Sequence, residues 1–378
     1  MKFRLNDLAE VGSSKRIYAK EYKSSGIPFY RGKEIIAKSE GRKIDNSLFI
    51  SKDRYNTLLK KCGVPKENDI LISAVGTIGK VYHVAKSDIP FYFKDGNLIR
   101  IYNYNYSLID PYYLYYLLKS YCGQNAIRKI EIGSTQKAIT INELSSIVLD
   151  IPSLQKQQEI SNKLKKIDAL ISVNSEINDN LDDLLTLIFE KFAINMKFEK
   201  SNLVGIANFK NGLPMQKFQC EKFENGIPVL KIRELSQGYT DSSSDRCSMK
   251  INKDYIVKTG DIVFSWSGTL MVKIWSGTTS GLNQHLFKVT SKKFPSWFIY
   301  EWTKHYLKKF KLIAAGKATT MGHIKRSDLM DSIVFIPNYK FLSQLTRIMK
   351  PIYDERIKII KQNQHLNCLK KEFLTKYF

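Results

Sequence analysis

The sequence predicts a mixed α/β (α+β) chain: two homologous strand-rich domains joined by two long coiled-coil helices that pair antiparallel, in a pseudo-twofold repeat. Three observations lead there. A series of landmarks recurs in the same order at a spacing near 185–200 residues. Two stretches carry apolar residues at alternating steps of four and three, and the basic excess lies outside the first of them. At 378 residues the chain is too long for one ordinary domain, and 43% hydrophobic residues suffice for a sizeable core.

The repeat opens with Gly26-Ile27-Pro28 followed by Glu34, which returns as Gly226-Ile227-Pro228 followed by Glu234. Asp69-Ile70-Leu71-Ile72-Ser73, running to Gly76-Thr77, returns as Asp261-Ile262-Val263-Phe264-Ser265, running to Gly268-Thr269. Leu98 to Ile101 matches Leu286 to Val289, and Pro111 before an aromatic stretch matches Pro295. The loop from Gly133 to Leu144 matches the loop from Gly316 to Leu329, and Ile151-Pro152 matches Ile336-Pro337.

Within each half, Ile70–Ala74 and Ile262–Trp266 read as central strands. Each is a short apolar run between an Asp turn signal and a glycine loop. Leu98–Ile101 and Gln284–Val289 read as further strands, and Tyr112–Tyr121 and Ser296–Phe310 as helices with aromatic faces. From Ser153, a seam runs through Ile160, Leu164, Ile167, Ile171, Leu181, Leu185, Ile188 and Phe192, with Asn174 and Asn178 at its middle positions. Shifted by 185, the second helix sets Leu345, Met349, Ile352, Ile359, Leu366, Phe373 and Tyr377 on the same phase, with Asn363 where Asn178 falls. An asparagine in such a seam fixes register at a cost in stability; a loosely packed midpoint is the other reading of these positions. The expected division is a domain over 1–152, a helix over 153–195, a domain over 196–337 and a helix over 338–378. Repeat symmetry then returns the second helix toward the first domain, giving a dumbbell with a rigid ruler.

Charge points to the partner. Lys and Arg number 60 against 36 Asp and Glu, a formal +24. Residues 1–152 hold 24 basic and 15 acidic side chains and residues 194–337 hold 22 and 11, whereas 153–193 hold 5 and 7. Two basic blocks flanking a neutral segment imply a polyanion, nucleic acid first of all. The longest aromatic-aliphatic run, Tyr112–Leu118, falls far short of the roughly 20 residues that span a bilayer, so no membrane partner is expected. Lys2, Arg4, Asp7 and Glu10 break any apolar start, and five scattered cysteines contain no C-x-x-C pair. A cytoplasmic protein with reduced thiols is expected.

In their order, these blocks resemble the specificity (S) subunit of type I restriction–modification systems. The residues that carry the resemblance are the two Gly-Ile-Pro openers, Asp261 to Thr269, Leu282-Asn283-Gln284-His285-Leu286-Phe287, the loop Gly316 to His323, and the Ile-Pro-x-x-x-x-Gln-x-x-Ile opener at Ile151 to Ile160. The second half fits better; in the first, Asp95-Gly96-Asn97 stands where Leu-Asn-Gln-His would be. The resemblance implies two target-recognition domains, each reading one half of an asymmetric bipartite site in double-stranded DNA, with the helices setting the gap. It also implies two methyltransferase (M) subunits carrying S-adenosylmethionine for adenine-N6 methylation, and restriction (R) subunits using ATP and Mg. The chain itself would bind no cofactor or metal and catalyse nothing. In keeping with this, the sequence has no Asn/Asp-Pro-Pro-Tyr signature, no Walker A motif, no Pro-Asp dipeptide and no ligand spacing among its five histidines. A nucleic-acid-binding scaffold or adapter without sequence specificity is the competing reading.

Glycine loops let backbone approach phosphates, while side chains in a groove read bases. In the first domain this selects Ser73, Thr77, Lys80, Arg31 and Lys33; in the second, Trp266, Ser267, Thr269, Lys273, Lys231 and Arg233. Gln284, His285, Lys317 and His323 join them, since Gln can contact adenine bidentately. Trp266 fits a core position equally well, and a histidine such as His285 is more often a satisfied core residue than a base reader. The aromatic stretches Tyr112–Tyr116 and Trp297–Tyr306 read as core packing rather than as stacking platforms for bases.

Overall fold

The computed structural model describes all residues except 43, 45–47, 134–136, 195–197, 221–224 and 317–321, with 193 and 194 described by backbone alone. The chain forms two compact units, Met1–Ala169 with Cys368–Phe378, and Leu170–Asn367. Both long helices contribute to both units. No helix among the described residues is long and apolar enough to cross a membrane.

In the first unit a four-stranded antiparallel sheet runs in the order Glu10–Gly12, Leu98–Tyr102, Ile70–Ser73, Val81–His83. The second unit repeats that order with Asn208–Asn211, Leu286–Thr290, Ile262–Ser265 and Met271–Ile274. A second sheet accompanies each. In the first unit, Ile27–Tyr30 pairs antiparallel with Leu48–Ile50 and parallel with Tyr92–Phe93. In the second, Ile227–Leu230 pairs antiparallel with Arg246–Cys247 and parallel with Ser280–Leu282, to which Ile256–Val257 adds a fourth strand. A two-strand ribbon closes each domain: Lys2–Arg4 on Val148–Asp150, and Glu199–Asn202 on Ile333–Ile336.

The central strands are apolar up to their terminal serines because both their faces are covered. Side chains alternate along a strand, so Ile70 and Ile72 enter the core under the aromatic helices while Leu71 enters a second core with Tyr30, Ile35 and Phe91. Likewise Ile262 and Phe264 pack with Trp297 and Trp302, and Val263 packs with Leu230 and Trp275. The Gly-Ile-Pro landmark has a steric cause. A Cβ on Gly26 would stand 2.5 Å from Ile50 O, and one on Gly226 would stand 2.3 Å from Cys247 O, each a carbonyl of the strand paired alongside.

The aromatic helices are shorter than expected and are each followed by another. Pro111–Lys119 starts on Asp110, whose carboxylate accepts from Tyr113 N at 2.8 Å, and it buries Tyr113, Leu114, Tyr116, Leu117 and Leu118. Ser120 ends it and caps Tyr121–Lys129 by accepting from Gly123 N. In the second domain, Ser296–His305 is followed by Leu307–Ala315. The buried tyrosines and tryptophans are core residues, as the sequence suggested.

The long helices span Leu154–Phe189, 36 residues, and Tyr339–Tyr377, 39 residues. A π-helical turn, Glu190–Ile194, extends the first. At 1.5 Å per residue they are about 54 and 58 Å long. Within the first unit Lys163 lies over the Tyr377 ring and Asp168 pairs with Lys370, so the segments run antiparallel. Within the second unit Asn174 bonds Asn363 and Asp182 pairs with Arg356, again antiparallel.

Ile160, Leu164, Ile167, Leu185, Leu345, Met349 and Ile359 are buried, while Ile171, Leu181, Ile188, Phe192, Ile352, Leu366, Phe373 and Tyr377 are half-buried. The seam asparagines that face each other are not the two made equivalent by the repeat shift. Asn174 Nδ2 donates to Asn363 Oδ1 at 2.9 Å, and Asn363 Nδ2 donates to Ile171 O and Ser175 Oγ. A shift along the chain finds positions equivalent by repetition, whereas antiparallel pairing selects the facing turn. Asn178 Oδ1 is buried with no hydrogen-bond partner among the described residues. Asn178→Leu should therefore raise stability by about 1 kcal/mol; a fall in the urea midpoint would show that the amide is engaged after all.

Candidate nucleic-acid interface

Each central strand ends in a loop that the sequence builds in two layers, a buried hydroxyl beneath and a glycine-threonine tip above. In the first domain Ser73 is 1% exposed. Its Oγ donates to Thr77 O at 2.5 Å and accepts from Lys80 N at 2.9 Å, and Gly79 N donates to Ser73 O. Ser73 is thus the internal tie of the loop, and Gly76 and Thr77 are its exposed tip. In the second domain Ser265 Oγ donates to Ser267 O at 3.2 Å, Ser267 is 3% exposed, and Gly268 and Thr269 form the exposed tip. The later glycine loops come in beside these tips. Val75 bridges Ala138 in one domain, Ser267 bridges His323 in the other, and Gly268 N donates to Gly322 O at 2.9 Å.

Around the second tip the structure gathers five expected residues into one polar-aromatic cluster. Trp266 stacks on Phe287 at 5.7 Å between ring centroids, and its Nε1 donates to Asn211 Oδ1 at 3.1 Å. The His285 and His323 rings stand 6.1 and 6.4 Å from Trp266. Ser267 Oγ and His285 Nδ1 are 2.9 Å apart, and Asn283 Nδ2 donates to Gln284 Oε1 at 2.8 Å. Trp266, Gln284, His285 and His323 are all half-buried. Lys317 lies outside the described residues.

The expected cations sit elsewhere, around the short helices after the Gly-Ile-Pro strands. Glu34, 3% exposed, accepts from Arg31 N at 2.9 Å and from the Arg31 guanidinium at 2.8 Å, and lies 3.6 Å from the Lys33 ammonium. Glu234, 2% exposed, accepts from Lys231 N and from Arg233. This is why a glutamate follows both landmarks: it closes the first helical turn and holds a cation. Burial pushes the Glu34 carboxyl up, but the hydrogen bonds from Arg31 outweigh it and the net shift is downward. Arg233 also reaches Ser243, Ser244 and Asp241, and Lys231 pairs with Asp245. Lys80 pairs with Glu40 at 2.9 Å. Lys273 donates to Ser236 O at 2.7 Å, and burial lowers its pKa. Most of these cations are therefore held in place by the fold, while Lys33 is the freest, with 69% of its side chain exposed.

Sequence reasoning passed over one feature beside the first tip. Arg16, Tyr18, Tyr22, Lys94, Asp95 and Asn97 line a cleft of about 390 Å³. Ala74 N, at the root of the glycine loop, donates to Asn97 O at 2.9 Å. The signal was the basic run Lys15, Arg16, Lys20 and Lys23, which precedes the first landmark and has no counterpart of equal charge in the second half.

The type I restriction modification DNA specificity domain matches twice, over residues 1–183 and 195–367. Across 97% of its length the chain is 26% identical to the type I restriction enzyme MjaIX specificity subunit of Methanocaldococcus jannaschii, covering 89% of that protein. Across 46% of its length it is 33% identical to the putative type I restriction enzyme specificity subunit S.HindORF215P of Haemophilus influenzae, covering 41% of that protein. The crystal structure of a type I restriction–modification S subunit from M. genitalium superposes with a TM-score of 0.54 at 16% identity, over 100% of this chain and 96% of that one, in agreement on the fold. With two copies of the domain covering nearly its whole length, the chain belongs to the type I restriction modification DNA specificity family.

Proposed function

We propose that this chain is the DNA sequence-recognition subunit of a type I restriction–modification complex and is itself non-catalytic. The observation that carries the reading is duplication: two specificity domains with one strand order, each presenting a tied loop with an exposed Gly-Thr tip. Each domain reads one half of an asymmetric bipartite site. The domains are 1–152 and 196–337, and the helices over 153–195 and 338–378, related by a pseudo-twofold axis, set the gap. Two M subunits supply S-adenosylmethionine chemistry, R subunits supply ATP- and Mg-dependent restriction, and the assembly works in the cytoplasm. Thr77, Lys80, Arg31 and Lys33 contact the first half-site. Thr269, Trp266, Gln284, His285, His323, Lys317, Lys231, Arg233 and Lys273 contact the second, with Ser73 and Ser267 shaping the loops beneath.

The test is modification mapping of DNA from cells that express the chain with its partner methyltransferase. Two unequal half-sites at a fixed gap are the expected result; no sequence preference would favour a plain polyanion-binding scaffold. A domain-wise variant follows from the cation placement. Lys80→Ala should weaken binding through the first half-site alone and lower the salt slope by about one. Equal loss with duplexes mutated in either half-site, measured by competition, would refute the division of labour.

A further inference from the structure

In each unit, one carboxylate from the first long helix joins the domain's aromatic helix to the second long helix. In the first unit, Asp168 Oδ2 accepts from Tyr116 OH at 2.8 Å, and Asp168 Oδ1 meets the Lys370 ammonium at 2.5 Å. In the second unit, Asp182 Oδ1 accepts from Tyr300 OH at 3.1 Å and meets Arg356 at 2.5 Å, while its Oδ2 takes Lys304 at 2.7 Å. The cation from the second long helix also lies over the same tyrosine ring, with Lys370 5.7 Å from Tyr116 and Arg356 5.3 Å from Tyr300. Three elements therefore meet on one side chain, twice.

Repetition accounts for only part of this. Tyr116 and Tyr300 are equivalent, each five residues after the helix-opening proline. The other members are not: the 185-residue shift carries Asp168 onto Tyr353, and Lys370 corresponds to Leu185. Both acids come from the first long helix and both second-helix cations from the other, so the same joint is built from different residues. Apolar packing around it tolerates sliding and rolling. Asp168 gives one oxygen to each element, and Asp182 holds both elements on Oδ1 and the aromatic helix again on Oδ2, so either motion breaks the tyrosine hydrogen bond or parts the ion pair.

We propose that Asp168 with Tyr116 and Lys370, and Asp182 with Tyr300 and Arg356, are positioning residues that fix how each specificity domain is seated on the helix pair, and so hold the gap between half-sites to one length. This rests on the recognition reading above. The helices would set the length, and these joints would keep it from blurring.

The test maps methylation by the full chain with its partner methyltransferase, for the wild type, Asp168→Lys, Tyr116→Phe, Tyr300→Phe and the exchange Asp168→Lys with Lys370→Asp. The readout is the ratio of methylation at the native gap to that at gaps one base pair shorter or longer. A merely structural role lowers all rates together and leaves that ratio alone. The single variants should keep both half-site sequences and lose at least tenfold in gap selectivity. The exchange should restore it, since the tyrosine hydroxyl accepts as readily as it donates. If Asp168→Lys does not fold, the two Tyr→Phe variants, which keep ring packing, decide the matter by the same ratio. Unchanged selectivity, or altered half-site sequences, would overturn the proposal. A wild type that modifies no bipartite site would overturn the recognition reading itself.

Discussion

Adding seven residues to each long helix, directly after Asn174 and directly before Asn363, should abolish methylation at the native gap and leave weaker methylation at a gap about three base pairs longer. Seven residues lengthen a helix by about 10.5 Å, and B-DNA rises about 3.4 Å per base pair. Seven is also the number that keeps the apolar seam in phase. The insertion points matter because Asn363 faces Asn174 and not Asn178. Insertions at Asn178 and Asn363 would leave a stretch of one turn without its facing partner. The loss of rate has a separate cause: at about 10.5 base pairs per turn, three extra pairs rotate one half-site about 100° around the duplex. Methylated sites that keep the native gap would show that the helices are not the ruler.

The parts of the fold that were legible in advance rest on local signals repeated at a distance. Asp69 to Thr77 and Asp261 to Thr269 each contain a whole strand and its loop, so one segment read correctly identifies the other. The long helices announced themselves through Leu164, Leu185, Leu345 and Met349, whose burial follows from periodicity alone. What stayed hidden depends on which elements face each other. No periodicity says that Asn174 meets Asn363, that Asp182 meets Arg356, or that Ser120 divides two helices. The candidate site shows the same limit. Trp266, Ser267, Gln284, His285 and His323 were selected from three separate motifs, and the fold brings them together. Arg31, Arg233 and Lys80 were selected as cations, yet their buried or partly buried partners Glu34, Glu234 and Glu40 are visible only in the fold. Preorganised cations lose less freedom on meeting a phosphate, so engagement within the fold and contact with DNA are compatible.

Two buried charges of the second unit should respond to substitution in opposite directions. Arg356 is 4% exposed and answers Asp182; replacing it with Met leaves that carboxylate, among the described residues, with Lys304 and Tyr300 and should cost about 1–3 kcal/mol. Glu301, 1% exposed, is the reverse case. One oxygen accepts from Thr186 at 3.2 Å, and the other has no partner among the described residues. Burial raises its pKa from 4.5 to about 7, against the opposing pull of Lys304. Between those two values the folded protein holds a proton that the unfolded chain releases, so stability falls as pH rises from about 4.5 to 7 and stays lowered above. At 1.36 kcal/mol per pKa unit, the penalty at pH 8 is about 3 kcal/mol at most. Glu301→Met fills a similar volume without the charge and should raise stability by about 2–3 kcal/mol at pH 8, with about 1 kcal/mol or less at pH 5. Urea unfolding of both variants at the two pH values separates the effects. A loss of stability in Glu301→Met at pH 8 would mean that the ionised carboxylate supports the Asp182 joint instead of straining it.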